Sequence, residues 1–448
     1  MTPLGLFLLI GVPLGAGAAA AVLPRGHAFG VAVASMVSVF LAALVTQTAA
    51  PLAIGETQLA LTQIGRLQLG FIALIGLALL AYQYLAGRVS ALAALLPPLT
   101  ASIAAGSLFG RDLLVAASFL QLAALSASLL MSGEQPKWGA SLAGAIYVML
   151  SALGGMALLF GFVLADIQRL SPGGLVTLPF VVAALTVGLA LQLGAAPLHF
   201  WLPNAFQRAG PAAVTLAVGL IGPASLGLLL QALSAQPQLV GDARVNRLIS
   251  YGGLLTAGFG ALAALAPSKP RRVLGYLMVA DLGYVLAGMA TYTRIGVTGA
   301  VLHMAHRSLL ALLLVAAVSE LERENRGSED ETPAPYMWGT LIVGVVSLTG
   351  LPPLAGFAAN WAVLQAISLT DTPLALALAA TSAVSLVAAL SSMGRLHREY
   401  AWPWRRPRPT EIYLMGLALF TALWGLAPGP ALGAIHSAVS QLPFLKPF

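Results

Sequence analysis

The chain has no cysteine and unusually few charged residues. Without cysteine it cannot form disulfides, iron–sulfur clusters, thiolate-ligated haem or cysteine-type zinc sites. Only 8% of its 448 residues are charged and 59% are hydrophobic, whereas soluble domains carry about 25% charged residues. This composition excludes an ordinary soluble enzyme and a disordered chain. It is typical of a polytopic α-helical membrane protein.

The formal net charge of +7 does not indicate a nucleic-acid partner. The basic residues lie in short connections between apolar runs, mainly in those that follow odd-numbered runs. Basic loops face the cytoplasm in membrane proteins. The charge pattern therefore predicts a multi-pass membrane protein with both termini outside the cytoplasm, and no binding of nucleic acid. The membrane expected for it is a bacterial-type inner membrane.

Apolar runs bounded by charged residues or by Pro and Gly predict an all-α fold of about 14 transmembrane helices, since one span needs roughly 20 apolar residues. The predicted spans are 3–22, 28–48, 69–86, 89–108, 112–131, 138–164, 175–194, 211–233, 249–266, 273–291, 297–319, 336–369, 373–393 and 411–427.

Two of these runs contain similar interruptions. Pro197 and Pro203 follow the seventh run, and Pro352 and Pro353 divide the twelfth. Proline removes a backbone donor and clashes with the preceding turn, so both helices are expected to be broken. An offset of five spans reverses direction across the bilayer, which predicts two inverted five-helix repeats. The alternative is that proline is simply common in membrane helices.

The expected organisation has four parts. These are N-terminal transmembrane helices at 1–88, a first five-helix repeat at 89–233, an inverted second repeat at 249–393, and a C-terminal part at 394–448 that holds a basic cytoplasmic loop, the last transmembrane helix and a tail.

Four stretches carry a resemblance to a known family. They are Gly-Ala-Ala-Pro-Leu-His-Phe-Trp-Leu-Pro-Asn at 194–204, the basic loop and helix at 269–284, His-Met-Ala-His at 303–306 and Leu-Thr-Gly-Leu-Pro-Pro-Leu-Ala-Gly-Phe at 348–357. In this order they resemble the antiporter-like membrane subunits of respiratory complex I, Mrp antiporters and membrane-bound hydrogenases, with related subunits in an inorganic-carbon uptake system. The resemblance implies a 14-helix subunit of a larger assembly.

The resemblance also implies a chain of buried ionisable residues that moves protons or cations. The positions matching the family's glutamate and three lysines hold Gln121, Gln192, Ala224 and Asn360. Amides do not titrate, and no Lys, Glu or Asp lies within 210–240 or 336–370. We therefore expect the family's proton path to be degenerate in this chain.

Five ionisable residues remain within or beside the apolar runs: Asp281, His303, His306, Arg307 and His199. Charges at mid-membrane normally pair and face the interior of a bundle. His303 and Arg307 are four residues apart on one helical face. One interpretation is a short Asp–His–Arg relay for protons. The other is an Asp281–Arg307 pair that joins the tenth helix to the eleventh. His199 is expected to bond backbone groups freed at the first break.

The residues indicate no catalytic site, no metal site and no cofactor. We expect a non-catalytic, antiporter-like membrane subunit of a complex I-type assembly (NADH:quinone oxidoreductase-like or hydrogenase-like), with a structural or coupling role beside other membrane and peripheral subunits in the lipid bilayer. Two alternatives remain. One is a membrane partner of an ion-driven transporter, for cation/proton antiport or inorganic-carbon uptake. The other is an active proton channel that uses Asp281, His303 and Arg307.

Overall fold

The computed structural model describes residues 3–46, 52–54, 57–88, 90–133, 138–171, 177–266, 268–324, 335–399 and 406–446. In this part of the chain the helices are α1 Pro3–Leu6, α2 Val12–Val22, α3 Arg25–Val45, α4 Gln63–Leu85, α5 Ser90–Leu108, α6 Leu113–Gly133, α7 Trp138–Leu170, α8 Leu178–Leu193, α9 Trp201–Arg208, α10 Pro211–Val214, α11 Gly222–Ala235, α12 Pro237–Gly241, α13 Ala243–Leu265, α14 Pro270–Ala290, α15 Arg294–Glu324, α16 Pro335–Leu348, α17 Ala355–Ser368, α18 Thr372–Glu399, α19 Pro409–Leu426 and α20 Gly429–Val439. Phe7–Gly11 and Thr215–Ile221 are π-helical.

The fold is that of a multi-pass helical membrane protein. Within the described residues, 12 helices are long and apolar enough to cross a bilayer. Two shorter apolar helices, Leu178–Leu193 and Pro335–Leu348, accompany them. The first corresponds to the predicted seventh span, and the second is the first half of the predicted twelfth span. The exact number of crossings remains a prediction.

One element departs from the all-helical expectation. Two short antiparallel strands, β1 Leu52–Ile54 and β2 Thr57–Leu59, pair with Leu52 opposite Leu59. An apolar segment too short for a span has no helical periodicity to distinguish it from a strand, so composition alone could not locate this hairpin.

Both predicted helix breaks are present. α8 ends at Leu193 and α9 begins at Trp201, while α16 ends at Leu348 and α17 begins at Ala355. A glycine with a left-handed backbone follows the end of α8 and of α16: Gly194 has φ 79° and Gly350 has φ 76°. Glycine ends a helix in this conformation because it has no Cβ to clash.

Pro203 does not belong to the first break, contrary to the expectation from sequence. It lies in the first turn of α9, which begins at Trp201. Proline is tolerated there because the first N–H groups of a helix have no intrahelical acceptor. Pro197 lies in the break itself, and so do Pro352 and Pro353 in the second one.

A spacing of 156 residues, or 157 at one pair of helices, relates the two halves of the chain. It separates Gly194 from Gly350 and Pro197 from Pro353 in the breaks. It also separates the first residues of α7 and α15, and α6 and α14 begin 157 residues apart. This repeated order of helices supports the predicted five-helix repeats. Their inverted relation remains a prediction.

The chain forms two compact units. The first comprises residues 1–194, 216–245 and 441–444, and the second comprises 195–215, 246–440 and 445–448. In the second unit α14 and α15 are the most enclosed spans, with 89% of the most apolar window of each buried. A helix that is buried on all sides must satisfy its polar side chains within the protein. The candidate site lies on these two helices.

Candidate functional site

Asp281 on α14 lies between two cationic or potentially cationic side chains of α15. His303 Nδ1 is 3.1 Å from Asp281 Oδ1, and Arg307 Nη1 is 3.5 Å from Asp281 Oδ2. Arg307 also donates to the carbonyl oxygen of Met278. The side chains of Asp281, His303 and Arg307 are all at most 3% exposed. The four-residue spacing on α15 places both basic groups beside one carboxylate, as the sequence suggested.

Asn360 on α17 extends this group. Its Oδ1 is 2.5 Å from His303 Nε2, and its Nδ2 donates to the Thr349 carbonyl at 3.5 Å and to Ser382 Oγ at 3.3 Å. Oxygen acceptors thus face both nitrogens of the His303 ring, one from Asn360 and one from Asp281. The ring can donate to both only when it carries both protons.

Tyr284, one helical turn after Asp281, closes the group on its other side. Its ring stacks on the ring of His303 with centroids 5.6 Å apart. Its hydroxyl lies 2.6 Å from Ser382 Oγ and 3.3 Å from Thr381 Oγ1, and it donates to the Leu378 carbonyl. Sequence reasoning missed Tyr284 and Ser382. Tyr284 could have been identified from the sequence, because it lies three residues after Asp281 in the stretch 269–284 and therefore on the same face of the helix.

A small cavity adjoins Asp281. Its volume is about 10 Å³, the least that one water molecule needs. It is lined by Leu277, Ala280, Asp281, Tyr284, Leu348, Thr349, Asn360, Ser382 and Ser385.

The second helix break holds Asn360 in place through close backbone contacts. A Cβ on Gly350 would lie 1.7 Å from Asn360 Nδ2, and a Cβ on Gly356 would lie 1.9 Å from the Ser347 carbonyl oxygen. Only glycine permits the approach at these two positions. The break therefore brings an amide of α17 against α15.

His306 and His199 make separate contacts. His306 Nε2 lies 2.8 Å from Ser347 Oγ on α16. His199, in the first break, bonds the backbone of Pro197 and packs against Phe259 with centroids 4.4 Å apart. These contacts place His306 beside the second break and His199 at the first, where a role in holding the broken segment was expected.

In the first unit, the polar centre contains amides and a hydroxyl. The Ser151 hydroxyl lies 3.4 Å from Gln121 Oε1 and 3.2 Å from Gln192 Oε1. A Cβ on Gly155 would lie 2.3 Å from the Gln121 side chain, so this glycine makes room for the amide. The side-chain nitrogens of Gln121 and Gln192 are buried and have no hydrogen-bond partner among the described residues.

Ala224 lines a second cavity, of about 20 Å³. The polar side chains around it are Gln68, Ser107 and Gln231. None of these groups titrates in the ordinary range. The two halves of the chain therefore differ in chemistry, because the first presents amides and hydroxyls where the second presents Asp281, His303 and Arg307.

Within the described residues, no group of three or more His, Cys, Asp or Glu side chains could hold a metal ion. The Asp281 group can hold a proton on its histidine or a charge-compensated ion pair.

Comparison with known proteins identifies the relatives of the chain. The family model described as "NADH:quinone oxidoreductase/Mrp antiporter, TM" matches residues 110–385. A "NADH-quinone oxidoreductase subunit N" from Pelagibacter ubique is 27% identical over 278 residues, which cover 57% of this chain and 58% of the relative. The chain thus matches less than two thirds of that relative's length.

Two solved structures share the fold over nearly the whole chain. A chain of the Mrp complex from Dietzia sp. DQ12-45-1b has a TM-score of 0.84 at 20% identity. The superposition covers 99% of this chain and 98% of the Mrp chain. A chain of the archaeal membrane-bound sulfane sulfur reductase has a TM-score of 0.85 at 21% identity. The superposition covers 98% of this chain and 97% of the reductase chain. The resemblance found from the sequence motifs is confirmed. Because the family model matches more than half of its length, the chain belongs to the NADH:quinone oxidoreductase/Mrp antiporter membrane family.

Proposed function

We propose that the chain is an antiporter-like membrane subunit of a complex I-type or related ion-translocating assembly, with a structural or coupling role. Its relatives carry the names of such assemblies, namely NADH-quinone oxidoreductase, the Mrp complex and a respiratory membrane complex. Under this proposal any redox chemistry takes place in other chains of the assembly.

The proposal that the proton path is degenerate rests on the difference between the polar centre of the first unit and the Asp281 group. A proton path needs groups that exchange protons along its length. The Gln121, Ser151 and Gln192 centre contains none, and the one buried carboxylate of the Asp281 group faces Arg307. A proton path through the whole chain would therefore lack titratable groups in the first half of the chain.

The topology belongs to the same proposal. We place both termini outside the cytoplasm because the basic connections follow the odd-numbered spans. The two five-helix repeats are then inverted, since five spans separate corresponding breaks. The 156-residue spacing supports the correspondence.

A second candidate function, an active proton channel, is favoured by one observation. His303 bridges Asp281 and Asn360 beside a cavity, which is a geometry that could pass a proton. It would require a path through the apolar surroundings on both sides of the group.

The composition of the native assembly tests the proposal. We expect the tagged chain, extracted from its own membranes in a mild detergent, to migrate as a large complex on a native gel. Mass spectrometry should then find flavin-binding or iron–sulfur subunits in the same band, and untagged membranes provide the control. Co-migration with small antiporter chains or a large soluble zinc protein would instead favour the ion-driven transporter. Migration as a single chain would contradict both.

A further inference from the structure

The orientation of the Asn360 side chain is fixed by the contacts of its amide nitrogen. Nδ2 lies 3.5 Å from the Thr349 carbonyl oxygen and 3.3 Å from Ser382 Oγ. A carbonyl oxygen only accepts hydrogen bonds, so the group that faces Thr349 must be the donating NH2 of the amide. In the reversed amide, Asn360 Oδ1 and the Thr349 oxygen would face each other as two acceptors. Oδ1 therefore points to His303.

A second series of hydrogen bonds gives the same orientation. The Tyr284 hydroxyl donates its single proton to the Leu378 carbonyl oxygen. Ser382 Oγ, 2.6 Å from the Tyr284 oxygen, is then the donor in that contact. Because the Ser382 hydroxyl has no proton left for Asn360, its oxygen accepts one from Nδ2. Two carbonyl oxygens, those of Thr349 and Leu378, thus impose one orientation on the amide.

The fixed amide determines how many protons His303 carries. His303 Nε2 lies 2.5 Å from Asn360 Oδ1, and Nδ1 lies 3.1 Å from Asp281 Oδ1. The Asp281 carboxylate also faces Arg307, whose guanidinium is always charged, so its oxygens are acceptors. A neutral imidazole would leave one bare nitrogen against an oxygen. The arrangement therefore fits an imidazolium, which donates from both nitrogens.

The charged and titratable groups that contact or influence the ring among the described residues come from two helices. α14 contributes Asp281 and Tyr284, and α15 contributes Arg307 and His306, whereas the contacts from α17 and α18 are uncharged. His306 differs from His303, because its buried Nδ1 has no partner in the described part of the chain and its Nε2 faces Ser347 Oγ. A hydroxyl can donate or accept, so nothing requires a second proton on His306.

We propose that Asn360 is a positioning residue that, together with Asp281, keeps both ring nitrogens of His303 protonated. The Asp281 group then holds two positive charges and one negative charge, and its net charge is positive. A permanently protonated ring cannot relay protons, because a relay must release one proton before it takes up the next. A net positive centre near the middle of α14 also repels cations. The inference concerns the charge of this group and holds whichever assembly contains the chain.

Solid-state NMR of the histidine ring nitrogens tests this charge state directly. The full chain, isotope-labelled at its histidines, is placed in lipid vesicles at about pH 8, where an ordinary histidine is neutral. His303→Gln and His306→Gln assign the signals of the two rings. We expect both nitrogens of His303 to carry a proton, and His306, which is equally buried on the same helix, to show one bare nitrogen. A bare nitrogen on His303 in the natural chain would overturn the proposal.

Substitutions of Asn360 test its part in holding the proton. Asn360→Leu has a similar size but no acceptor, so His303 should lose the proton on Nε2. Asn360→Asp supplies an acceptor again and should keep both protons on the ring. Asn204→Leu is the matched control, because the Asn204 amide donates to the Phe200 carbonyl instead, and it should leave the His303 signals unchanged. Unchanged His306 signals show that each variant is folded. The proposal is also overturned if Asn360→Leu keeps both protons or if Asn360→Asp loses one.

Discussion

Replacing Asp281 with asparagine is expected to destabilise the chain by about 3 to 5 kcal/mol. Among the described residues, Asp281 is the only carboxylate that contacts Arg307, whose side chain is 3% exposed, and the substitution removes it. An unpaired cation in the membrane interior has neither water nor a counter-charge to stabilise it. The free energy of unfolding, measured by urea titration in mixed micelles, should report this loss.

A surface pair provides the matched control for this substitution. Asp166 and Arg169 form an ion pair 3.3 Å apart, with side chains 46% and 63% exposed. Asp166→Asn should cost no more than about 1 kcal/mol. The double variant Asp281→Leu with Arg307→Met should recover part of the loss, because it removes the buried cation as well. A small loss for Asp281→Asn, equal to the loss for Asp166→Asn, would contradict the role of Asp281 as the essential counter-ion.

Gly350→Ala should have the second largest effect, a loss of about 2 to 5 kcal/mol from a left-handed backbone and an overpacked contact. The residue has φ 76°, and its Cβ would lie 1.7 Å from Asn360 Nδ2. The new methyl group must displace Asn360 and so break its bond to His303. Unfolding in mixed micelles measures the change.

Gly87→Ala separates the two contributions. Gly87 has a similar φ of 71°, but nothing lies within 4 Å of its Cβ position. Its substitution should therefore show only the conformational cost of about 1 to 2 kcal/mol. Adding Asn360→Ala to Gly350→Ala should relieve the contact. If the two glycine variants lose the same stability, the proposed packing of Asn360 against the break is wrong.

The parts of the fold that local chemistry decides could be predicted from sequence. The breaks follow from glycine and proline, whose backbone restrictions act wherever they occur. Asp281 could be placed near His303 and Arg307 because two consecutive antiparallel spans pack together and a four-residue spacing defines a helical face.

The remaining partners depend on tertiary packing. Asn360 was identified only as a residue in place of a lysine, and its bond to His303 requires the exact position of α17 after the break. Tyr284 and Ser382 join the group through α18, which is distant in sequence. His306 bonds Ser347 because of the rotation of α15, which a spacing rule does not determine.

We propose that the chain contains no continuous proton path, and proton flux through the purified chain tests this most directly. The full chain is reconstituted in sealed vesicles containing a pH-sensitive dye, and a proton gradient is imposed. We predict the same rate of internal pH change as in protein-free vesicles, both for the natural chain and for Asp281→Asn, because the amides at Gln121 and Gln192 pass no protons. Flux through the natural chain that Asp281→Asn abolishes would contradict the account and establish the Asp281 group as an active relay.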